Sequence, residues 1–218
     1  QRQRLPRRRA LVTSATVSKG STVLATLRFV EVTYGAELQL AVLATLPNAL
    51  RSRLVGIAPT AELPYAELLA LWRAADQLLH PRDPLWMERS GAFSIESTGV
   101  QLYSGILRKR SPHEFLTQSV SLFQLYYYPG DMDVVDEDAG RAVLRMTGFD
   151  SQDVLFCRRQ TGGLQQALVQ AGGEAPRVKH VRCAHLGDAF CEWELVWRVD
   201  GKEGQDSRSP WSGAPPPG

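Results

Sequence analysis

Apolar residues recur at intervals of three and four from Ser21 to Tyr128, and in the later half two segments change to alternation. The first period belongs to helices that bury one face, the second to strands that do the same. Ser21 caps a predicted helix whose stripe is Leu24, Leu27, Val30 and Tyr34, and Gly35 stops it. Leu38 to Leu46 predicts a second helix, ended by Pro47. Pro64 opens another, with Leu68, Leu69, Trp72, Ala75 and Leu79 on one face, closed by His80-Pro81. A helical pattern from Asp83-Pro84 to about Lys109 is interrupted by Gly91, Gly99 and Gly105, which predict a bend or close packing. Ser111-Pro112-His113-Glu114 has the cap, the first-turn proline and the returning glutamate of a capping box. Pro129-Gly130 ends that helix.

Beyond Asp131, residues 131–136 and 141–147 predict a hairpin around Glu137-Asp138-Ala139-Gly140. A helix follows from Asp153 to Ala171, with Val154, Cys157, Thr161, Leu164 and Leu168 as its stripe. Residues 177–183 and 189–198 form a second hairpin. Its last strand places Cys191, Trp193, Leu195 and Trp197 on one face and Glu192, Glu194 and Arg198 on the other. The fold class predicted is α+β: N-terminal helices packed on an antiparallel sheet made from hairpin, helix and hairpin. Residues 19–199 are assigned to one domain, 1–18 to a flexible basic leader and 200–218 to a disordered tail rich in Gly, Ser and Pro.

Length and composition agree with one globular domain, at 218 residues, 44% hydrophobic and 22% charged. No apolar run approaches the ~20 residues of a membrane span. The net charge is +2, yet five arginines fall within Gln1–Arg9, leaving the remainder at −3. That excludes a basic nucleic-acid face on the body; the arginine arm is read as a solvated leader. Three cysteines are too few and too odd for a secreted disulfide framework, so a bacterial-type cytoplasm is expected.

Cys157, Cys183 and Cys191 are the candidate chemistry. The short connection after Cys183 brings it near Cys191, and the covering helix supplies Cys157. Thiolates suit zinc, with His180 or His185 as a fourth ligand. Strand alternation puts His180 and Cys183 on opposite faces, so a bulge or strand end is required between them. The alternatives are small buried thiols or a Cys183–Cys191 disulfide. No Ser-His-Asp signature, phosphate-cradling glycine loop or His-Glu-x-x-His is present, and Asp131 to Asp138 reads as a solvated acidic turn, so no enzyme is expected.

An apolar cleft is expected between the helices and the sheet, lined by Tyr103, Leu107, Arg108, Phe115, Leu122, Phe123, Tyr126 and Tyr127. It suits a small apolar or aromatic molecule, unless these side chains simply fill the core. The aromatic run ending at Tyr128 suggests instead a homodimer or a contact with a signalling protein, a reading that exposed Trp72 or Trp86 would favour.

The segment from Cys183 through Gly187-Asp188 to Cys191 and Trp197 resembles the close of bacterial 4-vinyl-reductase-type domains. It is also similar to the ending of uncharacterised paralogous bacterial proteins. The resemblance implies a fold shared with haem nitric-oxide-binding domains and vesicle-tethering (TRAPP) components. In the aromatic-sensing members, zinc is held by an upstream Cys, an acidic residue and two terminal Cys. Those positions fall at Cys157, His180, Cys183 and Cys191, so the resemblance implies a structural Zn²⁺ beside a small-molecule pocket. Haem-binding relatives use a proximal His and a Tyr-x-Ser-x-Arg motif. Here Tyr103 and Ser104 are adjacent, Arg108 lies further on, and His80 and His113 sit at helix ends, so no haem is expected. The function expected is a non-catalytic sensor or signalling adaptor.

Overall fold

The computed structural model describes residues 16–99 and 111–198. Strand β1 (Val17–Lys19) leads into helices α1 (Gly20–Tyr34), α2 (Ala36–Ala44) and α3 (Asn48–Val55). Strand β2 (Glu62–Pro64) runs into α4 (Tyr65–Leu79), and α5 (Trp86–Ser94) ends in a π-helical turn, Ile95–Gly99. Helix α6 (Pro112–Tyr126) passes into β3 (Tyr127–Tyr128). Then come β4 (Asp131–Asp138), β5 (Arg141–Thr147), α7 (Val154–Gln170), β6 (Glu174–Arg182), a 3₁₀ turn at Ala184–Leu186, and β7 (Cys191–Arg198).

The α+β architecture stands, with the antiparallel sheet ordered β4-β5-β7-β6. Both hairpins form, and β5 pairs with β7 to join them, Leu144 opposite Trp193 and Met146 opposite Cys191. On β7, Cys191, Trp193, Leu195 and Trp197 are buried against the helices. The other face carries ion pairs, Arg145 to Glu192 at 2.8 Å and Arg141 to Glu194 at 2.8 Å. Ser111 caps α6 as read: Pro112 follows the cap, and Ser111 Oγ accepts the Glu114 N–H at 3.2 Å.

Four local features differ from the sequence pattern. A second, three-stranded sheet, β2-β1-β3, was not legible, because its strands are two or three residues long and carry no period. Ser21 does not cap α1. The helix starts two residues earlier, at Gly20 directly out of β1, and the Ser21 N–H donates to Pro59 O at 2.8 Å. Helix α1 is also buried on more than one side, with Val23, Ala25, Thr26, Phe29 and Val30 enclosed, because it is a central helix rather than a surface one. On α7, Val154 is exposed while Cys157, Leu164 and Leu168 are buried.

The interior is an aromatic cluster. Tyr65 meets Phe149 edge-on at 5.1 Å, Tyr127 meets Phe156 at 5.0 Å, and Phe123 meets Phe149 at 5.7 Å. Rings in this arrangement add to burial through their opposed edge and face charges. The Tyr65 hydroxyl donates to Ser151 O at 2.9 Å, which satisfies the one polar group this ring brings inside.

Helices α5 and α7 cross with their backbones in contact, and glycine is the reason. A Cβ on Gly162 would stand 1.8 Å from Glu88 O, and one on Gly91 would stand 2.1 Å from Arg159 O. Arg158 then clamps Glu88 through Nε at 2.8 Å and Nη2 at 2.7 Å. Replacing Gly162 with Ala is expected to lower stability by about 2–3 kcal/mol, since rigid backbone must move. Gly56→Ala, whose Cβ would meet only Ser52 O at 3.7 Å, is expected to stay within about 0.5 kcal/mol of the parent in the same urea titration.

Candidate metal centre

Four side chains, from one helix, two strands and the turn between those strands, converge where α7 lies on the β6–β7 end of the sheet. Cys157 comes from α7, His180 from β6, Cys183 from the start of the turn after β6, and Cys191 from the first position of β7. One ligand atom from each lies within 4.8 Å of all the others. Around a tetrahedral ion bound at ~2.0–2.3 Å, such atoms stand roughly 3.3–3.8 Å apart, so a small contraction would close the site. Cys157 Sγ and Cys191 Sγ are already 3.5 Å apart and unbonded. All three cysteines are buried.

The local structure explains the convergence. Pairing of β6 with β7 shifts register between His180 and Arg182, which supplies the bulge that strand alternation demands. After it, Cys183 returns to the side that His180 faces. The turn closes on Cys183: its N–H donates to Asp188 Oδ2 at 2.7 Å, and its carbonyl accepts Leu186 N at 2.9 Å and Asp188 N at 3.2 Å. Gly187, at φ 101°, supplies the left-handed residue the turn needs. The His180 ring stacks on Trp193 with centroids 4.8 Å apart. Trp193 Nε1 donates to Thr161 Oγ1 at 3.0 Å, and that hydroxyl donates to Cys157 O at 2.9 Å. The ring that positions His180 is thereby tied to the helix that carries Cys157.

Electrostatics favour a thiolate at Cys191. The Cys157 thiol beside it, then His180 and the Ala184 N–H at 3.4 Å, hold its pKa well below the ordinary thiol value against the effect of burial. His180 Nε2 is buried and makes no conventional hydrogen bond, which leaves an imidazole nitrogen free to ligate. His185, the alternative fourth ligand, points elsewhere: its Nε2 meets Ser151 Oγ at 2.6 Å.

Other expected site residues divide. Phe115, Phe123 and Tyr127 are buried in the aromatic interior, and Tyr126 is half-buried beside it. Tyr103, Leu107 and Arg108 and the side chain of Leu122 lie outside the described residues. Trp72 and Trp86 offer no surface. Both are fully buried, with their indole N–H groups donating to Thr26 Oγ1 at 3.2 Å and Asp76 Oδ1 at 2.7 Å. Sequence reading passed over Arg159, which is 4% exposed and donates to Ser90 Oγ at 2.6 Å. Its signal was present, since Arg159 shares a helical stripe with Phe156 and Gly163.

Comparison with solved structures places this arrangement among known folds. The chain is similar to the Fe(II) unliganded H-NOX protein from K. algicida, with a TM-score of 0.65 at 12% identity over 85% of this chain and 99% of that one. It is also similar to the S. oneidensis H-NOX protein in the Fe(II)NO state, with a TM-score of 0.64 at 15% identity over 83% and 99%. The fold is that of the H-NOX domains. No protein-family model matches the chain, and no curated protein matches it.

These likenesses overturn the expectation that haem is excluded. That expectation rested on a missing motif, whereas solved chains of this fold include one from work on modulating haem redox potential through porphyrin distortion, similar at a TM-score of 0.60 and 13% identity over 82% of this chain and 99% of that one. As for ligation, the chain's four histidines all lie among the described residues. His80 and His113 are exposed and pair with Asp76 and Glu137, His185 is exposed, and His180 faces the cysteines. The described aromatic interior therefore offers no imidazole to an iron.

Replacing Cys183 and Cys191 together with Ser is expected to lower the unfolding free energy by about 3 kcal/mol or more. Thermal melts with and without chelator check it: the chelator should lower the Tm of the parent and leave the variant unmoved. An unchanged Tm for the parent would remove the metal.

Proposed function

We propose that this chain is a non-catalytic sensor or signalling-adaptor domain. Its aromatic interior takes a small molecule, and Cys157, His180, Cys183 and Cys191 hold one thiophilic metal ion in a structural role. The observation that carries this reading is the convergence of four ligand atoms within 4.8 Å on the same helix that walls the interior. A metal there would tie α7 to both strands of the second hairpin, and three thiolates with one imidazole match zinc. The site has no open position among its four protein ligands, which suits structure rather than catalysis. The likeness to H-NOX domains supports a ligand-binding interior, and the Cys-Gly-Asp-Cys close supports the finer kinship with 4-vinyl-reductase-type domains. Three unbonded thiols fit a reducing cytoplasm. Among the described residues no helix is long and apolar enough to cross a membrane.

A second reading, pairing with another copy or a signalling protein, rests on Leu125 and Tyr128. These neighbours at the end of α6 and in β3 are 52% and 55% exposed. Large apolar side chains grouped on a surface mark such contacts.

Native mass spectrometry of the full chain, purified without added metal, tests both. The expected result is a mass excess of one zinc, with a further small adduct, and the absorption spectrum of the same sample reads haem directly. A bare mass in a stable dimer would overturn the metal and favour the second reading.

A further inference from the structure

Strand β4 is an acidic edge strand. Asp131, Asp133, Asp136, Glu137 and Asp138 fall within its eight residues, with no cation among them. In the sheet order β4-β5-β7-β6 it pairs with β5 alone, and its other edge meets no strand among the described residues. Such an edge presents a row of unpaired N–H and C=O groups. Its carboxylates are only partly matched. The β5 cations Arg141 and Arg145 are engaged by Glu194 and Glu192 on β7. Asp136 shares Arg141 at 2.5 Å, and helix α6 reaches β4 at both ends, through Gln124 to Asp131 and His113 to Glu137. Asp133 and Asp138, both exposed, form no ion pair among the described residues.

The chain carries a segment of opposite charge that enters the fold beside this edge. Residues 1–15 hold five arginines and no Asp or Glu. They join the fold at Thr16, where β1 runs antiparallel to β3, Val17 opposite Tyr128 and Ser18 opposite Tyr127. Since β3 leads into β4, each step back along β1 is a step forward toward β4. Carried on at the same count, Leu11 comes opposite Val134, and Arg9, Arg8 and Arg7 come opposite Asp136, Glu137 and Asp138. From Thr16 to Arg9 an extended chain covers about 23 Å at ~3.3 Å per residue, the same length as Pro129 to Asp136. The register shift between Val134 and Asp136 moves the count by one, and three arginines against three acids still leave two facing pairs. Glu137 and Asp138 also line a cavity of about 430 Å³ with Pro112 and Trp197, a mix of acidic and apolar walls that suits a guanidinium.

We propose that segment 1–15 docks along the strand-free edge of β4, with Arg7, Arg8 and Arg9 meeting Asp136, Glu137 and Asp138. The edge thus takes an extended basic segment, and the chain's own arm is the occupant. One exposed ion pair adds little, but several in register beside backbone bonds act together. Docking covers an edge that would otherwise template pairing between copies. Segments 100–110 and 199–218 carry cations too, Arg108, Lys109, Arg110, Lys202 and Arg208, but the register of β1 leads the arm, not these, along β4. Neither the metal nor the ligand reading above bears on this docking.

The test follows trypsin cleavage after Arg7, Arg8 and Arg9 in the full chain, by mass spectrometry, at about 0.1 M and about 1 M NaCl, where the screening length falls from ~10 Å to ~3 Å. At the lower salt the parent should be cut at least ~10-fold more slowly than Asp133→Asn/Asp136→Asn/Asp138→Asn, and at the higher salt the two rates should converge. Hydrogen exchange reads the other partner. In Arg7→Gln/Arg8→Gln/Arg9→Gln, the β4 amides that do not bond to β5 should exchange at least ~10-fold faster than in the parent. Equal cleavage of the parent and the Asn variant at both salts would overturn the docking. So would β4 exchange that the arm variant leaves unchanged, which would give the edge to residues 100–110, to 199–218 or to solvent. Protection that fades on dilution would place the arm on another copy's edge and overturn the intramolecular occupant. Should the Asn variant fail to fold, the salt dependence of the parent and the exchange of the arm variant decide.

Discussion

The metal centre and the ligand-binding interior both depend on the contact between helices α5 and α7. Their backbones touch because Gly91 and Gly162 lack side chains where a Cβ would strike carbonyl oxygen. Such an approach leaves no room for adjustment, so α7 has one position along α5, fixed further by the two bonds from Arg158 to Glu88. Cys157 and Arg159 ride on that helix two residues apart, which is a little over half a turn. One faces the sheet and the other faces the helical interior. A slip of α7 would therefore disorder the cysteine cluster and the buried arginine together.

The two places differ in their electrical character. At the sheet end, three thiols and an imidazole crowd within 4.8 Å, an arrangement whose deprotonated form needs a cation. In the interior, the Arg159 guanidinium is enclosed by a hydroxyl and a ring, with no ion pair among the described residues. Between the two places run Thr161 and Trp193. The tryptophan stacks on His180, and the threonine binds both the tryptophan and the Cys157 carbonyl. Occupancy at the sheet end thus bears on the same 17-residue helix that presents Arg159. This is a physical connection through packed and hydrogen-bonded groups.

A missing Tyr-x-Ser-x-Arg motif describes a ligand's contacts, whereas the likeness to H-NOX structures at 12–16% identity describes a backbone path. Sequence can diverge to that extent while layers, crossings and strand order persist, because a fold needs only apolar periodicity and turns in the right order. Absence of the motif therefore removes a set of contacts and does not remove the fold that houses them.

The sequence by itself determined the α+β class, the cap at Ser111, both hairpins and the inward face of Cys191, Trp193, Leu195 and Trp197, all of which follow from local period and turn chemistry. It also pointed to Cys157, His180, Cys183 and Cys191, and it named the bulge that their meeting requires. It did not show the β2-β1-β3 sheet, whose strands are too short for a period, or the pairing of β5 with β7. It predicted close packing or a bend at Gly91 without naming α7 as the partner. Nor did it separate His185 from His180, since the choice depends on Ser151 holding His185 away. Arg159 gave only the hint of a helical stripe shared with Phe156 and Gly163. Only the tertiary structure decided that it is enclosed without an ion pair among the described residues, because burial and pairing depend on what other segments bring alongside.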